Sequence, residues 1–395
     1  MKFAIVVNGT RGDVQPMVAL ASRLMQKGHE IIFCAPPENE EIIKRHNCPY
    51  VPFGPNYREI FKNKPDMKGG ATVGPSPKKG KEETLKQIDL LPEIIKGSDM
   101  VLGVGFVLGV PTVAELLKIP YRFFIYYPVM LGTSKSDPLF NKMMFGFGKR
   151  VINIIMNGFL NKKRATLGLP PIRDLWAHWL GDRVIVACDK EINEVKEGVS
   201  YNYTQTGFML PPPQTTLPEN IKSFIDSGNP PVFIGFGSNP VAEPEKISKI
   251  FVEVAKATGQ RLIISKGWAS LPENNSMDIL FVDEIPYELL FPRLAAIVYH
   301  GGTGTMAIAA RAGIPQAAFP FMADQFENRK RIVALGLGPH TCDFKKLSAT
   351  AVIKAITACT TNMPYKINAQ QIAQKLQQTD GTKETITLIE KEFLA

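Results

Sequence analysis

The chain has 395 residues, and its 46 lysines and arginines outnumber its 37 aspartates and glutamates, for a formal net charge of +9. Hydrophobic residues make up 45% of the sequence, which excludes a disordered protein and, at this length, predicts two or three domains with cores of their own. The 5 cysteines are scattered and never form a Cys-x-x-Cys pair. Neither a disulfide scaffold nor a zinc site is therefore expected.

Targeting signals and membrane spans are not evident in the sequence. Met1 to Val7 is apolar but passes directly into polar residues, without a basic leader or a small-residue cleavage site. The longest apolar stretch, Met100 to Val110, contains glycines and is too short to cross a bilayer. These features predict a cytoplasmic protein. The positive charge is too diffuse to predict a nucleic-acid partner, and none is expected.

Short apolar strands alternate with helices in the first half of the chain. The pattern predicts a strand at Lys2 to Val7, a tight loop at Gly9 to Asp13, a helix at Pro16 to Gln26 and a second strand at Glu30 to Cys34. This order is typical of parallel sheets. Further strands are predicted at 100–104, 121–125 and 183–187, and the lysine-, glycine- and proline-rich segment 61–84 is predicted to be a long mobile loop.

A second α/β series follows, with predicted strands at 231–235, 261–265, 279–282, 295–299 and 316–320 and a helix at 246–257. The stiff run Pro211 to Pro213 predicts a linker between the two series. The expected fold class is α/β, with two Rossmann-like domains facing each other across a cleft that holds a ligand. The predicted organisation is a first domain at 1–206, a linker at 207–228, a second domain at 229–372 and a C-terminal helix at 373–395 that returns to the first domain.

The most informative motif runs from His300 to Thr305, where a predicted strand ends, glycines follow and a helix begins. Free backbone amides at a helix N-terminus bind phosphate, and the helix dipole adds to the attraction. Thr303, Thr305 and His300 supply further donors, while Gly302 and Gly304 allow the backbone to approach a ligand closely. A diphosphate ligand is therefore expected; the alternative is a glycine-rich turn without a ligand.

The same stretch also matches a dinucleotide-binding fingerprint. Gly302, Gly304 and Ala307 have the Gly-x-Gly-x-x-Ala spacing, and Asp324 follows about twenty residues later. A nicotinamide-dependent oxidoreductase is therefore an alternative function. Against it, Phe321 to Ala323 separate Asp324 from the preceding predicted strand, which the acidic residue of the fingerprint should close.

Two further groups of polar residues follow predicted strands of the second domain. Asp324 and Gln325 are well suited to hydrogen-bond several sugar hydroxyls, although Asp324 could equally be the N-cap of the next helix. Ser238 lies in a glycine turn and is either a second phosphate donor or a plain turn residue. No metal-ligand spacing is present, so no metal is expected.

A polar loop in the first domain, Gly9, Thr10, Arg11 and Gly12, is predicted to face the cleft and is followed by Asp13. Asp13 is a candidate general base because it lies where a loop enters a helix. The alternatives are a helix cap or a salt bridge to Arg11 or Arg23.

Two basic segments are candidate membrane-contact surfaces. The segment 62–86 is rich in lysine, and the segment 142–164 mixes lysine and arginine with methionine, phenylalanine and isoleucine. Such segments can lie on anionic membranes. The alternatives are a solvated loop for the first, and a core or ligand-pocket helix for the second.

Several motifs, in order along the chain, resemble those of one enzyme family. Gly9 to Pro16 is similar to the N-terminal motif of sterol 3-β-glucosyltransferases and of bacterial antibiotic glycosyltransferases of the glycopeptide and macrolide type. Asn229 to Ser238 is similar to the opening of their donor domain. Matches also occur at 266–268, 285–292, 300–305 and 320–325, and the chain thus resembles the family-one UDP/TDP-glycosyltransferases.

The resemblance implies the GT-B fold and an inverting, metal-independent transfer of a hexose. The implied donor is a UDP- or TDP-sugar, with UDP-glucose expected, and the implied acceptor is a hydrophobic hydroxylated molecule such as a sterol, triterpenoid or polyketide. The first domain would bind the acceptor and the second the donor, with no cofactor besides the sugar nucleotide. A non-catalytic, membrane-associated binding protein on the same scaffold is a third alternative.

Position by position, the resemblance makes Asp13 the general base on the acceptor hydroxyl. Many relatives place a ribose-binding glutamate where this chain has Ile308, which leaves uridine and thymidine both open. The implied donor-binding residues are Ser238 near the phosphates, Ile285 beside the base, His300, Thr303 and Thr305 on the diphosphate, and Asp324 and Gln325 on the sugar hydroxyls.

Overall fold

The computed structural model describes residues 1–62, 77–134, 137–211, 216–273 and 276–394. The chain divides into two compact units. The first comprises Met1–Tyr57, Gly74–Pro211 and Asp380–Ala395, and the second comprises Arg58–Val73 and Pro212–Thr379. Each unit combines a parallel sheet with helices, so the predicted α/β class is confirmed.

The sheet of the first unit has seven parallel strands in the order β3-β2-β1-β4-β5-β6-β7. Strands β1 and β4 lie near its centre and are buried at successive residues, so both faces of the sheet are covered there. This explains why they are continuous apolar runs rather than alternating ones. The strands are β1 (Lys2–Asn8), β2 (Glu30–Ala35), β3 (Tyr50–Pro52), β4 (Met100–Gly105), β5 (Tyr121–Ile125), β6 (Val184–Ala187) and β7 (Tyr203–Thr206).

The helices of the first half of the chain connect these strands. They are α1 (Arg11–Gln26), α2 (Glu40–Arg45), α3 (Tyr57–Lys62), α4 (Pro77–Ile95), α5 (Val110–Leu117), α6 (Leu139–Thr166), α7 (Leu175–Leu180) and α8 (Lys190–Asn193).

Helix α1 begins at Arg11, before the predicted start at Pro16. Proline favours the first turn of a helix, which is why the sequence indicated a later start. The structure shows a different start, because the backbone N–H of Thr10 donates to Asp13 Oδ2 at 2.9 Å. This capping interaction stabilises the additional turn.

The predicted long loop at 61–84 is wrong for residues 61–62, which end α3, and for residues 77–84, which form the first part of α4. Lysine and glycine suggested a loop, but Thr84, Ile88, Leu91 and Ile95 recur at helical spacing and are buried. Tertiary burial of this stripe therefore determines the conformation. Residues 63–76 of the predicted loop lie outside the described part of the chain.

The second unit contains a five-stranded parallel sheet in the order β10-β9-β8-β11-β12. Its strands are β8 (Val232–Gly235), β9 (Leu262–Ser265), β10 (Ile279–Val282), β11 (Ala296–Tyr299) and β12 (Gln316–Ala318). Its helices are α9 (Glu219–Asp226), α10 (Pro244–Thr258), α11 (Tyr287–Leu290), α12 (Thr303–Ala312), α13 (Asp324–Ala334), α14 (Ala349–Thr361) and α15 (Met363–Leu376).

The division between the units falls between Pro211 and Pro212, inside the predicted linker 207–228. That linker is not a single free segment, because Phe208 and Met209 are buried and α9 is a helix of the second unit. Residues 212–215 of the linker lie outside the described part of the chain.

The last helix, α16 (Gly381–Leu394), belongs to the first unit. The predicted boundary before residue 373 falls inside α15, and the division lies between Thr379 and Asp380. Ion pairs hold α16 in place: Arg23 pairs with Asp380 at 2.8 Å, and Arg122 pairs with Glu392 at 2.6 Å. These pairs join distant parts of the chain, so local sequence could not indicate where the second unit ends.

Candidate functional site

The turn between β11 and α12 carries the most prominent candidate residues. Strand β11 lies inside the sheet, and α12 begins directly after Gly302, its extended N-cap. Met306 N donates to Gly302 O and closes the first helical turn. The backbone amides of residues 303–305 therefore precede the intrahelical ladder and are oriented for an anion, with the helix dipole behind them.

The ring of His300 packs against two glycines. A Cβ at Gly302 would lie 2.4 Å from His300 Nε2, and a Cβ at Gly237 would lie 2.9 Å from His300 Cε1. The two turns meet because β8 and β11 are neighbours, with Gly235 paired to Tyr299. The side chain of His300 thus fits only because both neighbouring positions lack a Cβ.

Burial lowers the pKa of His300 to about 4, and a smaller interaction with the Gly235 backbone acts in the opposite direction. The imidazole is therefore neutral at pH 7. A neutral ring keeps one N–H donor for a phosphate oxygen. Such a ring offers an anion a hydrogen bond rather than a full positive charge.

A second set of polar side chains connects α12 to α13. Thr303 Oγ1 donates to Asp324 Oδ2 at 2.9 Å. Asn328 Nδ2 lies 2.8 Å from Gly301 O, 3.0 Å from Thr303 Oγ1 and 3.3 Å from Asp324 Oδ2. Asn328 is buried, so these contacts fix the position of the Asp324 carboxylate relative to the turn between β11 and α12.

The sequence reasoning did not identify Asn328. The available signal was the spacing of Asp324 and Asn328, four residues apart on one helix, which places both side chains on the same face. That spacing alone does not show that the face meets the β11–α12 turn.

Asp324 is an unusually basic carboxylate. Burial raises its pKa to about 6, although hydrogen bonds from Thr303 and Asn328 lower it. The N-cap interpretation of Asp324 is wrong, because the N-cap of α13 is Ala323 and Asp324 is the first helical residue. A half-buried carboxylate at the start of a helix has lone pairs suited to polar ligand groups.

Gln325 uses its side-chain oxygen within the protein. Gln325 Oε1 accepts hydrogen bonds from Phe321 N at 2.8 Å and Met322 N at 3.2 Å. The turn also contains Ala323 at φ 49° and ψ −130°, a left-handed-side conformation that non-glycine residues rarely adopt. Gln325 thus holds a strained turn, and its amide nitrogen is the group left to meet a ligand.

Ser238 lies in the turn after β8, where Gly237 has φ 58°. Asn239 Nδ2 donates to Phe236 O at 2.7 Å, and Trp268 N donates to Gly237 O at 3.0 Å. These bonds shape the turn that presents the partly exposed Ser238. Ile285 is buried in the connection between β10 and α11.

All of these candidates therefore lie at the carboxyl ends of strands in one parallel sheet. Ser238 follows β8, Ile285 follows β10, His300 to Thr305 follow β11, and Asp324 and Gln325 follow β12. Ligands of open α/β sheets bind at this edge.

In the first unit, Asp13 lies in the first turn of α1, shortly after the carboxyl end of β1, an inner strand of the sheet. A Cβ at Gly9 would lie 2.2 Å from Asp13 Oδ2, so the glycine makes room for the carboxylate. Thr10 N donates to the same oxygen, and Tyr126 Oη donates to the Asp13 carbonyl at 3.0 Å. Asp13 is thus a capping residue locally, held in a fixed orientation at the start of α1.

The salt-bridge alternative for Asp13 involved Arg11 or Arg23. Arg23 Nη1 instead pairs with Asp380. The loop residues Gly9, Thr10, Arg11 and Gly12 lead from β1 into α1, as predicted, with the helix starting inside the loop.

Comparison with known proteins identifies the family. Residues 3–126 match the glycosyltransferase family 28 N-terminal domain, and residues 260–390 match the C-terminal domain of erythromycin biosynthesis protein CIII-like proteins. The vancomycin aglycone glucosyltransferase of Amycolatopsis orientalis is 33% identical over 359 residues, which cover 86% of this chain and 85% of that protein. The chain belongs to this family of glycosyltransferases.

Two further similarities extend over nearly the whole of this chain. A sterol 3-beta-glucosyltransferase of Arabidopsis thaliana is 28% identical over 423 residues, covering 96% of this chain and 66% of that protein. The solved structure of the glycosyltransferase VinC in complex with dTDP has a TM-score of 0.69 at 17% identity, covering 100% of this chain and 99% of that chain. The structural likeness shows the fold, and the predicted GT-B class is confirmed.

The predicted enzyme class is likewise confirmed. The family matches include the glycine turn, His300 and Asp324 within residues 260–390, and Asp13 within residues 3–126. The dinucleotide fingerprint at 302–307 is therefore part of a glycosyltransferase domain, and the oxidoreductase and non-catalytic alternatives are not supported.

Proposed function

We propose that this glycosyltransferase moves glucose from UDP-glucose to a hydroxyl of a hydrophobic natural product, with inversion at the anomeric carbon and without a metal ion. One observation carries the proposal. The backbone amides of residues 303–305, which have no partner within the helix, lie beside neutral His300 and the hydrogen-bonded side chains of Thr303, Asp324 and Asn328. This arrangement places hydrogen-bond donors for a phosphate and a carboxylate for sugar hydroxyls at one edge of the same sheet.

The diphosphate of the donor binds at the start of α12. Amides of residues 303–305 donate to its oxygens, and the hydroxyl of Thr305 adds a further donor. His300 donates through the single N–H of its neutral ring. The Ser238 hydroxyl approaches from the β8 turn, and Ile285 packs against the nucleotide base.

The sugar hydroxyls bind at Asp324 and Gln325. The carboxylate accepts from two neighbouring hydroxyls while Thr303 and Asn328 hold it in place. The Gln325 amide nitrogen donates, since its oxygen is used by the 321–322 backbone. Relatives named as glucosyltransferases support glucose as the sugar.

Transfer is a single displacement. The acceptor oxygen attacks the anomeric carbon as the bond to the diphosphate oxygen breaks, and that electron pair leaves with the diphosphate. Asp13 accepts the acceptor's proton, and a positioned base of this kind contributes roughly 10²–10⁴-fold. The fixed hydrogen bond from Thr10 N to Asp13 Oδ2 keeps the carboxylate oriented during the proton transfer.

The leaving diphosphate is stabilised by preorganised dipoles. The α12 amides and the His300 N–H point to where negative charge grows, and such groups contribute more inside a water-poor site than in water. These donors take the place that a divalent cation holds in metal-dependent transferases.

The acceptor proposal draws on the relatives. One is named for a sterol and another for the vancomycin aglycone, which supports a hydroxylated natural product as acceptor. For the nucleotide, a structural neighbour is bound to dTDP, while Ile308 occupies a buried position on α12 and offers no carboxylate for a ribose.

A donor competition assay tests this function. UDP-, TDP- and GDP-glucose are titrated against the protein by calorimetry, with and without a chelator, and a sterol and polyketide panel is then assayed by mass spectrometry with the tightest donor. UDP-glucose should bind most tightly and be unaffected by the chelator. Preferred binding of TDP-glucose or GDP-glucose, or loss of transfer on chelation, would contradict the proposal.

A further inference from the structure

The long helix α6 exposes an apolar stripe. Phe140, Met143, Phe147 and Ile154 follow one another at spacings of three, four and seven residues and are 72%, 65%, 65% and 76% exposed. These spacings place the four side chains on one side of the helix. Leu160, on the opposite side, is buried in the core of the first unit. The helix is thus packed on one face and apolar on the other.

The charges of α6 are all positive. Residues 139–166 contain no aspartate or glutamate. Lys149 pairs with Asp174, Lys163 with Asp89, and Arg164 with Glu115. Arg150 and Lys162 are exposed on either side of the apolar stripe. The solvent face of α6 therefore combines apolar side chains with a basic border.

We propose that this face of α6, defined by Phe140, Met143, Phe147, Ile154, Arg150 and Lys162, docks on an anionic lipid surface. The apolar side chains enter the boundary between headgroups and acyl chains, and the two cations lie among the headgroups. The docking itself does not depend on the proposed function. Its benefit does, because docking would bring the first unit to a hydrophobic acceptor dissolved in the membrane.

The dimensions and charge of the face favour a lipid surface over other occupants. From Phe140 to Ile154 the helix extends about 21 Å at 1.5 Å per residue, more than one small acceptor covers. A second copy on the same face would bring basic borders together without an acidic residue from either helix. An anionic bilayer matches both the length of the apolar stripe and the positive charge of its border.

The other predicted basic segment does not share this pattern. Its described residues are Lys62, at the end of α3, and 77–86 on α4, where Glu82 and Glu83 lie between Lys81 and Lys86. Lys81 Nζ lies 5.6 Å from the ring centroid of Phe159 on α6. Residues 63–76 lie outside the described part of the chain. Across the described helices, none has the length and apolar content of a membrane-crossing segment, so the contact proposed is a peripheral one.

Vesicle flotation of the full chain tests the proposal. Vesicles of phosphatidylcholine alone are compared with vesicles of phosphatidylcholine and phosphatidylglycerol in equal parts. The protein should float with the mixed vesicles at low salt and bind them less at high salt. Phe147→Gln with Ile154→Gln should lower the partition coefficient roughly tenfold, and Arg150→Glu should lower it several-fold.

The matched control is Met277→Gln, because Met277 is 91% exposed in the second unit. It should bind vesicles as the unchanged protein does. Thermal unfolding and UDP binding of every variant should also be unchanged, which separates loss of docking from loss of folding.

Four results would overturn the docking proposal. One is the absence of binding to the mixed vesicles, and another is unchanged binding by the double variant. The third is a dimer that light scattering detects without lipid and that the double variant does not form, since such a dimer would assign the face to a second copy of the chain. Transfer to a water-soluble acceptor without vesicles reports on the proposed function separately. A raised KM of the double variant in that assay would assign the face to acceptor binding instead.

Discussion

The ring of His300 lies so close to Gly302 that a Cβ on this glycine would be 2.4 Å from Nε2. Gly302 has φ −64° and ψ 141°, a conformation that any residue adopts without strain. The glycine is therefore required by the packing of the histidine, and not by its own backbone.

Gly302→Ala should displace the His300 ring from the start of α12 and weaken UDP-glucose binding at least tenfold, or about 1.4 kcal/mol. Calorimetric titration measures the change. Gly158→Ala is the matched control, since a Cβ there meets nothing within 4 Å. Equal donor affinity in both variants would show that the His300–Gly302 contact has no part in donor binding.

Asn328→Ala should remove the side chain that joins Gly301, Thr303 and Asp324. Loss of buried hydrogen bonds, one of them to a carboxylate, should destabilise the second unit by about 1–3 kcal/mol and raise the KM for the donor. Steady-state kinetics and urea unfolding measure the two effects.

The control for Asn328 is Asn368→Ala, which removes a hydrogen bond from an amide to Gly336 O elsewhere in the same unit. It should reduce stability without changing the KM. If Asn328→Ala also leaves the KM unchanged, Asn328 has a structural role only.

Asp324 predicts a pH dependence. Its pKa is raised to about 6, so the folded protein holds this proton more tightly than the unfolded chain. The stability that Asp324 contributes should therefore fall as the pH rises from about 4 through 6. Asp324→Asn should remove this fall and be the more stable protein above pH 6, while its donor affinity decreases.

Urea unfolding of both proteins across pH 4–8 tests the sign. Burial lowers the pKa of His300 to about 4, so that residue contributes the opposite slope in both proteins and cancels in their difference. A difference in unfolding free energy that is constant with pH would contradict the raised pKa of Asp324.

Asp13→Asn should abolish transfer while donor binding survives. The asparagine oxygen still accepts from Thr10 N, so α1 should start at the same residue and stability should change little. Without a base, turnover should fall at least about a hundredfold. Turnover close to that of the unchanged enzyme, with normal UDP-glucose affinity, would remove Asp13 from the chemistry.

The donor-side turn could be predicted because its signals are local. A buried strand, two adjacent glycines and a helix start all occur between Ala296 and Thr305, so the sequence places the open amides directly. The role of Asn328 could not be predicted in this way. It depends on α13 packing its Asp324–Asn328 face against a turn that lies 25 residues earlier in the chain.

Helices α4 and α6 also show that local composition does not determine which residues are buried. Lysine and glycine suggested a loop at 77–84, but a buried stripe makes it helical. For 142–164, composition left open a membrane-contact helix and a core or ligand-pocket helix. Only the fold shows that Leu160 is buried while Phe147 and Ile154 are exposed.

The anomeric configuration of the product tests the central proposal most directly. UDP-glucose carries an α-linked glucose, so a single displacement at the anomeric carbon predicts a β-glucoside. The proton coupling constant of the anomeric hydrogen in the purified product distinguishes the two forms. A β-glucoside agrees with direct attack by an acceptor whose proton passes to Asp13, and an α-glucoside would contradict that mechanism.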